Sequence, residues 1–201
     1  MTKINKSVIV VKSLFVKHSS LYCIQRKEGC TSCMGIFKHV DSFLGIIGFG
    51  RIGQKLGAMA KAMGMNVIAF DIFHVPGIEE QMGMKYVEMD ELFAQSDFIS
   101  LHTPAIDGKP LINAETIAKM KDGVVFVNTS RGNNVDEAAL LDALNSGKVR
   151  GAGLDVFAEE PTANAELYSH PNVSCTPHIG AATVEAQKRI GAEIVDIINN
   201  F

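Results

Sequence analysis

From about Leu44 onward, short apolar runs alternate with amphipathic stretches, and turn residues separate one from the next. Residues 44–47 form an apolar run that reads as a buried strand. Gly48-Phe49-Gly50-Arg51-Ile52-Gly53 follows at once, then a helix through about Met63. A second apolar run, 65–70, ends in Asp71, so strand, tight turn, helix and strand fit within about 30 residues. The alternation continues with strands expected at 85–87, 98–101, 123–128, 151–156 and 173–175. Helices are expected at 89–95, 114–120 and 136–145, the last stopped by Gly147. The helix expected at 181–199 has Ile190, Ile194, Ile197 and Ile198 spaced for one apolar face.

Strands alternating with helices imply an α/β fold with a doubly wound parallel sheet and right-handed crossovers. A ligand of such a sheet lies beyond the carboxyl ends of its strands, at the point where the strand order reverses. Sequence repeats and low-complexity segments are absent, and the one plausible boundary falls near 40–44, separating a leader, 1–43, from a domain at 44–201.

Charge divides at the same place. Residues 1–43 carry seven Lys/Arg against two acids, a net of +5, whereas 44–201 carry twelve against twenty, a net of −8. An overall charge of −3 offers no basic field for nucleic acid, and no run of 18 uncharged apolar residues suggests a membrane span. With 47% hydrophobic residues the chain can bury a full core. The leader has no acid before Glu28 and several serines, as organelle transit peptides do, but carries Lys where those carry Arg. Lys12 and Lys17 interrupt any secretory h-region, so a cytoplasmic location is expected. Cys23, Cys30, Cys33 and His39 are of zinc-binding type, yet their spacing fits no zinc module. No metal is expected, and the thiols, Cys175 included, read as free.

The glycines carry the first chemistry. Gly48 makes the turn out of the strand, Gly50 lets the backbone approach a pyrophosphate, and Gly53 lets helix and strand pack closely. Arg51 and Ile52 supply amides from the first helical turn, where the helix dipole favours phosphate. Asp71 stands 18 residues after Gly53, at the end of the next strand. A carboxylate there accepts hydrogen bonds from the adenosine ribose and repels a 2′-phosphate, which favours NAD over NADP. The competing reading of Asp71 is a helix cap or a solvated turn acid.

Further blocks follow in order: Leu101-His102-Thr103-Pro104; Asn128-Thr129-Ser130-Arg131-Gly132 with Val135-Asp136-Glu137; Gly151-Ala152-Gly153-Leu154-Asp155-Val156-Phe157 with Glu160-Pro161; and Thr176-Pro177-His178-Ile179-Gly180. Together with the glycine motif they resemble the signature blocks of the D-isomer-specific 2-hydroxyacid dehydrogenases. The resemblance implies a Rossmann-type NAD-binding domain, hydride transfer between NAD and a 2-hydroxy or 2-oxo acid, and a homodimer. It assigns His178 as general acid/base, a role suited to an imidazole that titrates near neutral pH. Glu160 becomes the carboxylate that orients the imidazole, with Glu159 its adjacent competitor. Arg131 becomes the fork that holds the substrate carboxylate. Asp155 is similar to the family's nicotinamide contact, and Thr103 and Thr129 lie in loops expected to line the cofactor. Of the other histidines, His102 is expected to shape its loop, and His18, His39, His74 and His170 to be solvated.

The resemblance further implies a separate substrate domain built from both sides of this stretch, most of which is expected to lie outside these 201 residues. A second reading follows: a non-catalytic, NAD-responsive dimerisation module.

Overall fold

The computed structural model describes residues 41–200 apart from 181 and 183. The leader and its Cys23, Cys30, Cys33, His18 and His39 lie outside the described residues. Among those described, no helix is long and apolar enough to cross a membrane.

Seven strands form one sheet in which every pairing is parallel: β1 (Phe43–Ile47), β2 (Asn66–Phe70), β3 (Lys85–Tyr86), β4 (Phe98–Leu101), β5 (Val124–Asn128), β6 (Val149–Leu154) and β7 (Val173–Cys175). Their order is β3-β2-β1-β4-β5-β6-β7, so the direction of winding reverses between β1 and β4. β4 and β5 are buried at every position, which is why they read as continuous apolar runs and not as alternation.

Side chains alternate between two cores. Ile46, Val125 and Val127 pack with Phe49, Leu56 and Val67 on one face. Ile47, Val124 and Phe126 pack with Ile99, Leu101 and Leu140 on the other. A sheet apolar on both sides needs helices on both, and α1 (Arg51–Ala62), α3 (Met89–Gln95), α4 (Ala114–Lys119) and α5 (Glu137–Ser146) provide them.

Polar side chains set several boundaries. The Asp136 carboxylate accepts from Ala138 N and Ala139 N, so α5 begins at Glu137, with Asp136 as its cap. Asn113 caps α4 in a reciprocal box with Thr116. β6 starts at Val149, two residues earlier than its apolar run suggests, because pairing with β5 continues across a register shift at Val124/Val125.

Two short helices, α2 (Ile78–Met82) and α6 (Ala165–Tyr168), and the 3-10 turn Gly132–Asn134 have no periodic signature in the sequence. α2 buries only Ile78 and sits between two left-handed glycines, Gly77 and Gly83. The last helix, α7 (Val184–Asn199), starts later than expected, and its apolar face is uncovered among the described residues, with Ile194 51% and Ile198 68% exposed.

Candidate functional site

All the loops that carry the signature blocks leave the same edge of the sheet. Gly48 follows β1, His102 and Thr103 follow β4, Thr129 and Arg131 follow β5, Asp155 follows β6, and His178 follows β7. Parallel strands bring every carboxyl end to one side, so blocks far apart in sequence share one rim.

The glycines of the fingerprint differ in what surrounds them. Gly48 has φ +90°, and a Cβ there would stand 2.8 Å from the His102 carbonyl carbon and oxygen. A Cβ at Gly53 would lie 2.4 Å from Gly48 O, so helix and turn touch through it. Gly50 has extended backbone, and a Cβ there would meet nothing within 4 Å. It caps α1 without a side-chain hydrogen bond, and no acid occupies the first turn. The amides of that turn therefore lack a side-chain cap, beside exposed Arg51 and Ile52, and their partial positive charge suits an anion.

Asp71 does more than await a ribose. Its Oδ2 accepts from Phe49 N at 2.6 Å and its Oδ1 from Phe73 N at 3.0 Å, which ties the fingerprint loop to the end of β2. Lone pairs remain on both oxygens for ribose hydroxyls.

Thr129 Oγ1 is buried with no hydrogen-bond partner among the described residues. An orphaned buried hydroxyl costs on the order of 1–3 kcal/mol unless a ligand supplies the partner. Thr103 Oγ1, by contrast, accepts from Asn134 Nδ2 at 3.0 Å. The uncapped helix end, the open Gly50 face, Asp71 and Thr129 together fit a dinucleotide.

Gly50→Ala and Gly53→Ala separate binding from folding. Alanine at Gly50 should cost less than about 1 kcal/mol of stability, a cap effect only, yet weaken NAD binding by about tenfold or more in calorimetry. Alanine at Gly53 should cost more than about 3 kcal/mol in urea denaturation, because its Cβ meets a backbone oxygen.

Asp155, 3% exposed, turns to the loop after β7. Its carboxylate accepts from the Thr176 hydroxyl, from Ile179 N at 3.0 Å and from Gly180 N at 3.1 Å. These bonds bracket His178, whose backbone has φ +48°, a left-handed conformation uncommon outside glycine.

His178 Nδ1 stands 2.6 Å from Glu160 Oε2, and Phe157 N donates to Glu160 Oε1 at 3.1 Å. The contact involves Glu160 and not its neighbour Glu159. The hydrogen bond from His178, then the Phe157 amide and the positive charges of His178 and Arg131, hold the Glu160 carboxyl below the ordinary carboxylate range against the opposing effect of burial. Arg131 lines the same open cleft, of about 250 Å³, with Gly132, Phe157, Glu160 and His178. Its loop is cross-braced: Asn128, 1% exposed, accepts from Ser130 N and Oγ and donates to Arg131 O at 2.9 Å.

Two contributors gain their role only in the structure. Asn134 is fully buried, donates to Thr103 Oγ1 and Pro104 O, and accepts from Ile106 N, so it joins the loop after β4 to the loop after β5. An Asn-Asn pair reads only as a turn, and nothing in its spacing marks burial. Gly132 lies so close to Phe157 that a Cβ would stand 1.9 Å from that residue's carbonyl.

Among the histidines expected to be solvated, His74 stacks on Tyr86 with ring centroids 4.0 Å apart, and His170 Nδ1 accepts from Asn172 N. His102 bonds Ser100 Oγ at 2.8 Å through Nε2, and burial pushes its pKa down to about 4. An unfolded histidine titrates near 6.5, so between these values the unfolded chain binds more protons. The stability this neutral ring contributes is present above about pH 6.5 and lost as pH falls toward 4, by up to about 3 kcal/mol. Urea denaturation at pH 7 and pH 4.5 should show that difference, and His102→Gln should remove most of it.

The profile of the D-isomer specific 2-hydroxyacid dehydrogenases, NAD binding domain, matches residues 21–180. A hydroxypyruvate reductase of Thermotoga maritima is 51% identical over 159 residues, 77% of this chain and 51% of that protein. A D-3-phosphoglycerate dehydrogenase of Mycobacterium leprae is 46% identical over 156 residues, 77% of this chain and 30% of that protein. Among solved structures, a glyoxylate reductase from Paecilomyes thermophila superposes with a TM-score of 0.80 at 35% identity, covering 97% of this chain and 61% of that one. The chain thus spans about half the length, or less, of the curated relatives it matches. With the glycine turn, the acid after β2 and an all-parallel sheet under them, these matches establish that the chain belongs to the D-isomer specific 2-hydroxyacid dehydrogenase family, whose NAD-binding domain it carries.

Proposed function

We propose that this domain serves the reversible NAD-dependent oxidation of a 2-hydroxy acid to the 2-oxo acid. The observation that carries the reading is the His178–Glu160 contact of 2.6 Å in a cleft that Arg131 also lines. Bound NAD supplies the acceptor for the hydride that leaves the substrate's C2. His178 takes the proton of the 2-hydroxyl and returns it to the carbonyl oxygen in the reverse direction. Glu160, ionised, orients the imidazole through Nδ1 and stabilises its protonated form. Arg131 holds the substrate carboxylate in two hydrogen bonds and polarises the adjacent C–O bond, which a lysine point charge does less well. Gly48, Gly50, Arg51, Ile52 and Gly53 hold the pyrophosphate, Asp71 the ribose, and Thr103, Thr129 and Asp155 the nicotinamide end.

The substrate we assign is D-3-phosphoglycerate, supported by the wording of the signature blocks and by relatives of that name at 43–46% identity. The 51% identity to a hydroxypyruvate reductase favours a second reading, in which D-glycerate is the hydroxy acid. A purified sample given NAD and, separately, D-3-phosphoglycerate, D-glycerate, glycolate and D-lactate tests both by the fluorescence of reduced cofactor. Reduction fastest with D-3-phosphoglycerate supports the first reading, and fastest with D-glycerate the second. NAD binding with no reduction of the cofactor by any of the four hydroxy acids rejects both. It leaves the dimerisation module, which requires the mass in solution to change with NAD.

A further inference from the structure

Behind the cleft, an acid opens α5. Glu137 is the first residue of that helix, a place where the helix dipole alone favours a carboxylate and where no partner is required. Its carboxylate nevertheless reaches across to another segment. Oε1 accepts from Ala158 N at 2.8 Å, and Oε2 accepts from Asn164 Nδ2 at 2.8 Å. Both partners belong to the loop between β6 and α6, 21 and 27 residues further along the chain. That loop carries Glu160. Ala158 adjoins Phe157, whose amide donates to Glu160 Oε1, and Asn164 caps α6 by accepting from Leu167 N, so the loop is gripped at both ends.

We propose that Glu137 is a positioning residue: by holding Ala158 N–H and the Asn164 amide, its carboxylate sets the loop at the height where Glu160 meets His178. The proposal rests on the reading of His178 and Glu160 as the proton-transfer pair. The polarity of the grip is specific. Glu137 offers two acceptors to two donors, and Asn164 cannot turn its oxygen toward Glu137 without abandoning Leu167 N. The charged groups facing Glu160 are His178 and Arg131, and Glu137 stands behind the loop without touching either.

The experiment exchanges donor and acceptor. Glu137→Gln presents an amide to the amide of Asn164, and Asn164→Asp presents a carboxylate to a carboxylate, so each alone should push the loop away. The double variant restores a complementary pair, because the new amide at 137 donates to the new carboxylate at 164 while the α6 cap is kept. The readout is the carboxyl titration of Glu160 by carbon NMR on the whole chain, with His178→Ala as reference. In the wild type that titration lies below the ordinary range. Either single variant should move it upward, toward the value in His178→Ala, and the double variant should return it. In steady-state assays kcat should fall about 10- to 100-fold in the single variants with KM for NAD unchanged, and recover in the double.

A His178→Ala that leaves the Glu160 titration in place would sink the reading of the pair itself. A shift in His178→Ala with none in either single variant would overturn the positioning role alone. Loss of the cooperative melt in both single variants would make Glu137 a structural residue and overturn it as well. The titration does not depend on turnover, so an inactive sample still decides between these outcomes.

Discussion

Gly132→Ala should abolish the cooperative melt near room temperature or lower stability by more than about 4 kcal/mol, the range reserved for a clash that nothing flexible can relieve. A Cβ at this position would stand 1.9 Å from the carbonyl carbon and oxygen of Phe157 and 2.5 Å from Ala158 N. All three are backbone atoms, and Ala158 is further held through its amide by Glu137. The only relief is to part the Arg131 loop from the Glu160 loop, which opens the cleft between them. Gly123 is the control. It has φ +76°, but a Cβ there would meet nothing within 4 Å, so alanine should cost only the left-handed strain of about 1–2 kcal/mol. Urea denaturation of both variants at pH 7 decides the matter: a Gly132→Ala protein as stable as Gly123→Ala would mean that the two loops do not touch as described.

His178→Gln should lower kcat by about 10²- to 10⁴-fold while calorimetric NAD affinity stays within about twofold, because the proton transfer is lost and the cofactor loops are untouched. Glu160→Gln should have a smaller effect with a pH signature. The Glu160 carboxyl is held below its ordinary range by the His178 hydrogen bond first, so it stays ionised throughout the neutral region. Stabilisation from the pair is present above the carboxyl's unfolded-state value and is lost as pH falls through its lower, folded-state value. Both side chains are substantially exposed, so water screens the effect and the acid limb of the rate profile is the better measurement. That limb should move to lower pH in Glu160→Gln, since the carboxylate that favours the protonated form of the base is gone. An unchanged limb would mean that Glu160 does not govern the imidazole. A His178→Gln protein that turns over at the wild-type rate would remove the histidine from the reaction altogether.

Short-range rules made much of the fold legible. The strands at Phe98–Leu101 and Val173–Cys175 and the helix at Met89–Gln95 have the bounds their apolar runs suggest, because apolar period and flanking turn residues act locally. The five-residue α2 and four-residue α6 were not legible, since a single turn or so shows no period and needs only glycines or an Asn cap to exist. The candidate chemistry was partly legible. Arg131, Glu160 and His178 stand out by residue type and by block, whereas Asn134 resembles any turn amide, and Glu137, though it lies in a block, any helix-opening acid.

The amino-acid sequence by itself determined the alternation of strand and helix, the parallel winding it enforces, and the glycine turn with its acid 18 residues on, all from period, turn chemistry and spacing. Only the tertiary structure decided that Glu160, the acid its block favours over Glu159, comes within 2.6 Å of His178, that Asp155 turns to the loop after β7, that Gly132 lies against Phe157, and that the apolar face of α7 has no cover among the described residues. The physical reason is distance along the chain. Periodicity and caps act over a few residues, while these contacts join loops 18 to 25 residues apart or more, and they meet because parallel strands bring their carboxyl ends to one rim.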